Sequence, residues 1–201
     1  MKYLKIVLAT RNIDKVREIK EALRGLAIDI LTLDSFPDVP EIVEDGMTIE
    51  QNALKKASVV QGITGGLVLA DDTGLEVDFL NGKPGVFSSR FAGEHASYDD
   101  NVEKLLSLMK GVPAEKRAAR FRCVIALVGE CIEQTVEGVV EGLILAEKHG
   151  TEGFGYDPVF YVPASGKTFA EMSLDHKNRI SHRGLALAKA RTILKAVAEH
   201  K

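Results

Sequence analysis

The chain has 201 residues, of which 45% are hydrophobic and 27% charged, and its formal net charge is −3. A chain of this length predicts one domain that buries roughly 70% of the surface of the unfolded chain. The apolar share excludes a disordered chain. The slightly negative charge disfavours a protein that grips a nucleic-acid backbone, because such proteins are usually strongly basic. We therefore expect a single folded domain over residues 1–201 and no nucleic-acid partner.

Neither the apolar runs nor the cysteines point outside the cytoplasm. The longest apolar run, residues 123–128, is far too short to cross a bilayer. The short apolar run at residues 3–7 lacks the length and cleavage site of a secretory signal. Cys123 and Cys131 cannot build a disulfide framework and lack zinc-site spacing. We expect a cytoplasmic protein with no membrane partner.

The predicted elements alternate between strands and helices along the chain. In order they are a strand at 4–9, a helix at 14–23, a strand at 28–33, a helix capped by Thr48, a strand at 67–70 that ends at Asp71-Asp72, a turn at 81–85, a helix at 98–110, an antiparallel hairpin of 120–128 and 132–140, and a final helix from about Ser181. Gln51 lies three residues after Thr48, which predicts a capping box. The fold class is α/β with a mixed sheet.

The segment from Thr10 to Lys15 joins the first strand to the first helix. Free N–H groups and the positive end of the helix dipole make such a junction a natural seat for phosphate. Either Thr10 or Asn12 could accept a hydrogen bond from the helix, while Arg11 and Lys15 supply positive charge. The pattern alone favours a plain helix cap with solvated basic residues, since capping residues are common.

Asp71 and Asp72 are adjacent carboxylates at the predicted end of a strand, before Thr73-Gly74. Neighbouring side chains on a strand point to opposite sides, so packing would easily neutralise at most one of them. Such a carboxylate can bind a hard cation or take a proton from water, and Glu44 offers a second one. So sparse an acidic set suits Mg²⁺ better than calcium. An Asx turn explains the pair equally well.

Two later segments could contact a ligand. Residues 150–158 place three glycines around Phe154 and Tyr156, and an aromatic face can stack on a planar base. Residues 181–184 put Arg183 in the first turn of the last helix, where a cation opposes the helix dipole. This position favours an anionic or carbonyl-bearing partner for Arg183. A connecting loop and surface basic residues are the plain alternatives.

Taken together, these pieces resemble the inosine triphosphate pyrophosphatases, which hydrolyse deaminated purine nucleoside triphosphates. The matching motifs are residues 8–15, Asn52-Ala53 with Lys56-Ala57, residues 70–75, residues 84–91, residues 153–158, Gly166-Lys167-Thr168 with Glu171, and residues 181–184. They occur in order and span nearly the whole chain. Each motif is weak singly, but the ordered set is specific and outweighs most of the plain alternatives.

The resemblance implies a role for each matching residue. The triphosphate would be held by Thr10, Arg11, Asn12, Ile13, Asp14, Lys15 and Lys56. Glu44 and Asp72 would carry Mg²⁺, and Asp72 would also be the catalytic proton acceptor that activates water. Thr73 would touch the substrate. The base and ribose would be bound by Phe154, Gly155, Tyr156 and Asp157, and the oxo groups of the purine would be bound by Lys177, His182 and Arg183.

The resemblance also implies an elongated mixed sheet flanked by helices, in two lobes around a central cleft, and a homodimer. The implied reaction is Mg²⁺-dependent hydrolysis of dITP, ITP and XTP to a nucleoside monophosphate and pyrophosphate, which clears them from the nucleotide pool. Two alternatives stay open. One is a pyrophosphatase for other modified nucleotides such as methylated pyrimidines, and the other is a catalytically idle nucleotide or RNA binder.

Overall fold

The computed structural model describes residues 3–199. Within that range the strands are β1 (Leu4–Leu8), β2 (Ile28–Thr32), β3 (Leu67–Val77), β4 (Pro84–Gly85), β5 (Ala118–Gly129), β6 (Ile132–Ile144), β7 (Phe160–Val162) and β8 (Lys167–Thr168). The helices are α1 (Ile13–Ala22), α2 (Ile49–Thr64), α3 (Tyr98–Leu108), α4 (Leu174–Ile180) and α5 (His182–Glu199). None of these helices is long and apolar enough to span a bilayer.

The strands form one mixed sheet in the order β2-β1-β3-β5-β6-β7-β8, with β4 paired to β3. β1 runs parallel to both β2 and β3. The β6–β7 and β7–β8 pairs are antiparallel. β5 and β6 are neighbours joined by only two residues, a connection that antiparallel strands allow. The predicted mixed α/β class is confirmed.

Contacts divide the chain into two compact units. The first comprises the chain up to Asp72, residues 123–138 and the chain from Arg183 onward. Its core packs apolar side chains of β1, β3, β5 and α5 together: Leu4, Ile6, Leu8, Leu67, Leu69, Ile125, Leu127, Leu187, Ala190 and Leu194. The predicted buried stripe of the last helix is confirmed at Leu187, Ala190 and Leu194, and Val197 is partly buried.

The second unit comprises residues 73–122 and 139–182. Its core is rich in aromatic rings, with Phe121 4.7 Å from Phe160 and Phe160 5.2 Å from Phe169 between ring centroids. Arg117 binds the loops around this core, because its guanidinium donates to four backbone carbonyls, those of Met109, Val112, Ile144 and Leu145. The assignment of residues 1–201 to a single domain and the central cleft both stay predictions.

The structure corrects three details of the predicted elements. β3 does not end at Asp71-Asp72 but continues to Val77, since Leu75 and Val77 are fully buried. Helix α4, capped by Ser173, was not predicted. The capping box at α2 is half right: Thr48 Oγ1 accepts from the Gln51 N–H at 3.1 Å, but the Gln51 side chain accepts from the Met47 N–H, one residue before the cap.

Candidate active site

The junction between β1 and α1 is a capped helix N-terminus. Asn12 is the N-cap of α1, and its Oδ1 accepts from the Lys15 N–H at 3.0 Å. Thr10 Oγ1 accepts from the Asn12 N–H at 3.1 Å. Of the two predicted caps, Asn12 therefore caps the helix and Thr10 shapes the loop before it. Ile13, 82% exposed, follows directly in the first turn.

Arg11 has a fixed partner in the first unit. Its Nη2 donates to the Val39 carbonyl at 2.7 Å, which ties the junction to the chain after β2. The remaining guanidinium donors keep their capacity for an anion, since the group carries five. Asp14 lies in the first turn of α1, where a carboxylate suits the helix dipole. That position gives Asp14 a role in stabilising the helix.

Lys15 reaches from α1 to β3. Its Nζ lies 3.1 Å from Asp71 Oδ2, and that carboxylate is fully buried. β1 pairs with β3 only as far as Leu8 opposite Leu69, so Asp71 lies two residues beyond the end of the β1 ladder. This is why the junction that follows β1 and the carboxylates of β3 meet at one place in the first unit.

Arg183 contacts the same Asp71 from the start of α5. Its Nε lies 3.1 Å from Asp71 Oδ2, and its Nη1 donates to Glu18 of α1. Burial tends to raise the pKa of Asp71, but Lys15 and Arg183 outweigh it and hold that pKa well below its usual value. Asp71, Lys15, Arg183 and Glu18 thus form a buried ionic network in which the carboxylates are balanced by cations.

Asp72, the next residue of β3, has a different partner. Lys56 Nζ of α2 lies 3.0 Å from Asp72 Oδ1 and 2.7 Å from Glu44 Oε1. Burial raises the pKa of Asp72, and the attraction of Lys56 only partly offsets this. Burial also opposes ionisation of Glu44, but there Lys56 prevails and the pKa is lowered. One buried ammonium group therefore holds both predicted metal ligands.

The expectation that packing would neutralise at most one of the two aspartates was incomplete. Both are buried, because ion pairs from other elements balance each of them: Lys15 and Arg183 at Asp71, and Lys56 at Asp72. The alternation of side chains on β3 gives the two carboxylates separate partners. The plain Asx-turn alternative is wrong, because both residues lie within β3. Thr73 follows them on the strand and is partly exposed.

The predicted metal ligands fit a hard cation that keeps open positions. No group of three or more His, Cys, Asp or Glu side chains that could hold an ion occurs within residues 3–199. Glu44 and Asp72 supply two carboxylates on one ammonium group. Mg²⁺ is commonly held by one or two carboxylates together with phosphate oxygens of the substrate. The donor set therefore suits Mg²⁺ and does not suit an all-protein calcium site.

In the second unit, two of the predicted base-binding residues, Phe154 and Lys177, contact Asp157. Asp157 Oδ2 accepts from the Phe154 N–H at 2.8 Å and pairs with Lys177 Nζ. Lys177 Nζ also lies 4.8 Å from the centre of the Phe154 ring, within range of a cation–π contact. A Cβ at Gly153 would lie 2.0 Å from Asp157 Oδ2, so the turn before Phe154 has room only for glycine. Gly155, at φ 61, completes this turn.

Three further predicted substrate contacts are buried like Lys56, Asp157 and Lys177. Tyr156 lies in the core of the second unit, where its hydroxyl donates to the Ser88 carbonyl at 2.9 Å. The His182 ring stacks on Phe121 at 4.5 Å between centroids. Arg183 has only 2% of its side chain exposed, against Glu18 and Asp71. Their roles in reading the purine stay predictions, whereas these structural contacts are observed.

Sequence reasoning missed the burial of Glu18 and the contact that the Asn52 side chain makes. Glu18 is almost fully buried beside Ile19, although in the sequence it is one of several polar residues on an amphipathic helix. Asn52 is fully buried on α2, and its Oδ1 accepts from the Gly46 N–H at 2.8 Å. No local pattern marks Glu18. The position of Asn52 one helical turn before Lys56 is the signal that could have found it.

Comparison with known proteins assigns the family. Residues 6–193 match the model of the Ham1 family. The chain is 54% identical over 185 residues to a dITP/XTP pyrophosphatase of Geobacter sulfurreducens, covering 92% of this chain and 93% of that protein. It is 51% identical over 200 residues to a dITP/XTP pyrophosphatase of Desulforamulus reducens, covering 98% of each.

Solved structures agree with this assignment. A HAM1 protein from Coxiella burnetii superposes with a TM-score of 0.87 at 43% identity, covering 96% of this chain and 99% of that one. A nucleoside-triphosphatase, dITP/XTP pyrophosphatase, from Mycobacterium abscessus superposes with a TM-score of 0.75 at 40% identity, covering 92% and 98%. The fold, the ordered motifs and the relatives agree over nearly the full length, and the chain belongs to the Ham1 family.

Proposed function

We propose that this protein hydrolyses deaminated purine nucleoside triphosphates, namely dITP, ITP and XTP, to the nucleoside monophosphate and pyrophosphate. The observation that carries the proposal is the position of Lys56 Nζ, 2.7 Å from Glu44 and 3.0 Å from Asp72. Buried titratable groups with perturbed pKa values cluster at functional sites, and Glu44, Lys56 and Asp72 form such a cluster. The names of the relatives, dITP/XTP pyrophosphatase, supply the substrate class.

The triphosphate is bound by the junction from Thr10 to Lys15 together with Lys56. The N-terminus of α1 supplies backbone N–H groups and a positive dipole end, and Lys15 adds a formal charge. Lys15 is already held by Asp71 at 3.1 Å, so little of its side-chain freedom remains to be lost when an anion binds. A fixed cation of this kind both binds phosphate and aligns it.

Glu44 and Asp72 are the residues that would hold Mg²⁺. When bound, the ion neutralises phosphate charge and polarises the phosphoryl oxygens. Asp72 orients the attacking water and accepts its proton, while Lys56 sits beside both carboxylates to balance their charge. Positioning and electrostatics supply most of the acceleration in this scheme.

In this proposal the base is selected by Phe154, Asp157 and Lys177, together with His182 and Arg183. The Phe154 ring offers a face for stacking, and it is held by the backbone contact to Asp157 and the ammonium of Lys177. Lys and Arg carry donors only, so they suit the 6-oxo group of hypoxanthine or xanthine and not the exocyclic amine of adenine. A buried mismatch of donors is costly, which favours the deaminated bases.

The remaining expectations concern the setting of the enzyme. The weak negative charge supports the expectation of no nucleic-acid partner, the short apolar runs support that of no membrane partner, and two cysteines without a disulfide framework support a cytoplasmic location. The family resemblance is the support for a homodimer. Sedimentation of the purified protein at micromolar concentration tests the oligomeric state directly.

A substrate panel tests the proposed function. Pyrophosphate release is measured from dITP, ITP, XTP, dATP, GTP and 5-methyl-dCTP, each with Mg²⁺ and with a chelator. We expect Mg²⁺-dependent release that is fastest with the deaminated purines. Faster release from the methylated pyrimidine would assign the alternative enzyme class. No turnover with any nucleotide, combined with salt-sensitive RNA binding, would indicate an idle binder instead.

A further inference from the structure

One short segment before α2 is held by four side chains on that helix. The segment, residues 44–47, runs back along the first two turns of α2. The contacts, from the N-terminal end of the helix, are Gln51 Oε1 with the Met47 N–H at 2.8 Å, Asn52 Oδ1 with the Gly46 N–H at 2.8 Å, Lys55 Nζ with Asp45 Oδ1 at 2.5 Å, and Lys56 Nζ with Glu44 Oε1 at 2.7 Å. Each of the four helix residues therefore holds one residue of the 44–47 segment.

The helical repeat explains why these four residues can contact one segment as two pairs. Residues 51 and 55, and residues 52 and 56, are four apart, which places each pair on the same side of an α-helix one turn above the other. The contacts of Gln51 and Lys55 are exposed, whereas Asn52 and Lys56 are buried. Exposed pairs contribute little because water and salt compete with them. The buried pair of Asn52 and Lys56 therefore makes the contacts that fix the 44–47 segment.

Within the buried pair, Asn52 has an amide group that is only half satisfied. Its side chain is fully buried and its Oδ1 accepts from the Gly46 N–H, yet its Nδ2 has no hydrogen-bond partner among residues 3–199. A buried amide donor without a partner is costly and rare in a folded protein. An apolar side chain of similar size would avoid that cost but could not hold Gly46. Asn52 is therefore suited to holding the segment and not to stabilising the core.

Gly46 fits the same contact closely from the other side. A Cβ added at Gly46 would lie 2.6 Å from Asn52 Oδ1 and 2.9 Å from Gln51 Cβ. Real Cβ atoms do not come so near, so a side chain at position 46 would displace either the segment or the Asn52 amide, and the contact between Gly46 and Asn52 would be lost in both cases. The segment that carries Glu44, two residues earlier, would then lose this anchor on α2.

We propose that Asn52 is a positioning residue of the metal site: by holding Gly46 it keeps the Glu44 carboxylate beside Lys56 and Asp72. The inference rests on the proposed function, in which Glu44 and Asp72 hold Mg²⁺. Asn52 itself touches neither the metal nor the reacting atoms in this scheme. It acts through the backbone of the 44–47 segment, as outer partners of metal ligands generally do.

The test measures Mn²⁺ binding to the nucleotide-free protein by the loss of the electron paramagnetic resonance signal of free Mn²⁺. Loss of an outer partner typically weakens metal affinity about 10- to 100-fold, so Asn52→Ala is expected to weaken Mn²⁺ binding by at least about tenfold. Gly46→Ala is expected to do the same. Gln51→Ala and Lys55→Ala remove the exposed contacts to the same 44–47 segment and should leave the Mn²⁺ affinity unchanged.

Two comparisons separate failure of this inference from failure of the proposed function. If Glu44→Gln binds Mn²⁺ as tightly as the wild type, Glu44 is not a metal ligand and the proposed metal site is wrong. If Glu44→Gln weakens binding but Asn52→Ala and Gly46→Ala do not, only the positioning role is wrong. Melting temperatures of all variants verify folding, and Gly46→Ala keeps the question open to measurement should Asn52→Ala fail to fold.

Turnover provides a second readout that a merely structural role would not change. For Asn52→Ala we expect the Mg²⁺ concentration for half-maximal activity to rise about tenfold, with kcat largely restored at saturating Mg²⁺. The double variant Asn52→Ala with Gly46→Ala should show less than the sum of the two single effects, because both act on one contact. A loss of kcat that persists at saturating Mg²⁺, with an unchanged Mg²⁺ requirement, would overturn the proposal.

Discussion

Lys15 and Arg183 contact the same carboxylate oxygen of Asp71, each at 3.1 Å. Lys15 comes from the start of α1 and Arg183 from the start of α5, so Asp71 joins two elements that are far apart in sequence. Arg183 also donates to Glu18, and its side chain is 2% exposed. The position of the proposed phosphate-binding lysine thus depends on a buried ionic network.

Loss of Arg183 should strongly destabilise the fold. In Arg183→Met, two buried carboxylates lose their common cation, and breaking a buried pair in this way typically costs about 3–5 kcal/mol of the free energy of unfolding. Urea denaturation followed by circular dichroism measures the loss. Arg179→Ala is the matched control, because Arg179 pairs with Asp175 at the surface and such pairs contribute about 1 kcal/mol or less. Equal costs for the two variants would contradict the network.

Asp72→Asn should abolish turnover and leave nucleotide binding largely intact. The variant keeps the shape of the side chain and leaves Lys56 paired with Glu44, so the site should stay folded. Loss of a general base costs about 10²- to 10⁴-fold in kcat, and loss of a metal ligand adds to that. Calorimetry with α,β-methylene-dITP reports binding. Asp45→Asn is the control, because Asp45 is an exposed carboxylate on the 44–47 segment that pairs with Lys55 and not with Lys56. Unchanged turnover in Asp72→Asn would remove Asp72 from the chemistry.

Phe154→Leu should weaken binding of the base without slowing the chemical step. Base–aromatic stacking contributes about 1–3 kcal/mol, so KM for dITP is expected to rise about tenfold or more while kcat stays near the wild-type value. Phe87→Leu is the control in the same unit, because Phe87 is exposed beside Arg90 and outside the predicted base site. A KM that does not respond to Phe154→Leu would place the base elsewhere.

The capping box of α3 should make a pH-dependent contribution to stability. Hydrogen bonds from the Ser97 hydroxyl and from its backbone N–H hold the pKa of Asp100 below its usual value of 3.8. A carboxylate with a depressed folded pKa stabilises the fold above its unfolded pKa and loses that contribution as the pH falls through the folded value. Ser97→Ala should therefore lower the urea midpoint at pH 7, and the difference should shrink below pH 4, as the pH falls through the folded pKa. Turnover at pH 7 should not change, and an equal difference at all pH values would contradict this prediction.

The local part of the fold could be predicted from the sequence. β1, α1, α2 and the β5–β6 hairpin carry clear apolar periodicity or a turn within a few residues, and each begins or ends within a few residues of its prediction. α4 has seven residues with few apolar ones, so no periodic pattern marks it. The continuation of β3 was missed because Asp-Asp-Thr-Gly has the composition of a turn, whereas distant cations make it a buried strand.

The candidate site was predictable only in part, for the same physical reason. Single motifs such as the Thr10–Lys15 junction do not distinguish a helix cap from a phosphate seat, and only their ordered combination indicated the family. The pairing of Arg183 with Glu18 spans 165 positions. No local pattern carries information about a contact of that range. Asn52 illustrates the opposite case, since its one-turn spacing from Lys56 was visible but its contact with Gly46 required the fold.

The central claim is that Asp72 drives cleavage between the α- and β-phosphates of a deaminated purine nucleotide. Phosphorus-31 NMR of dITP turnover with Mg²⁺, for the wild type and Asp72→Asn side by side, tests it most directly. The account predicts dIMP and pyrophosphate as the only products of the wild type, and unreacted dITP with the variant. Formation of dIDP and orthophosphate, or identical product formation by the two proteins, would contradict it.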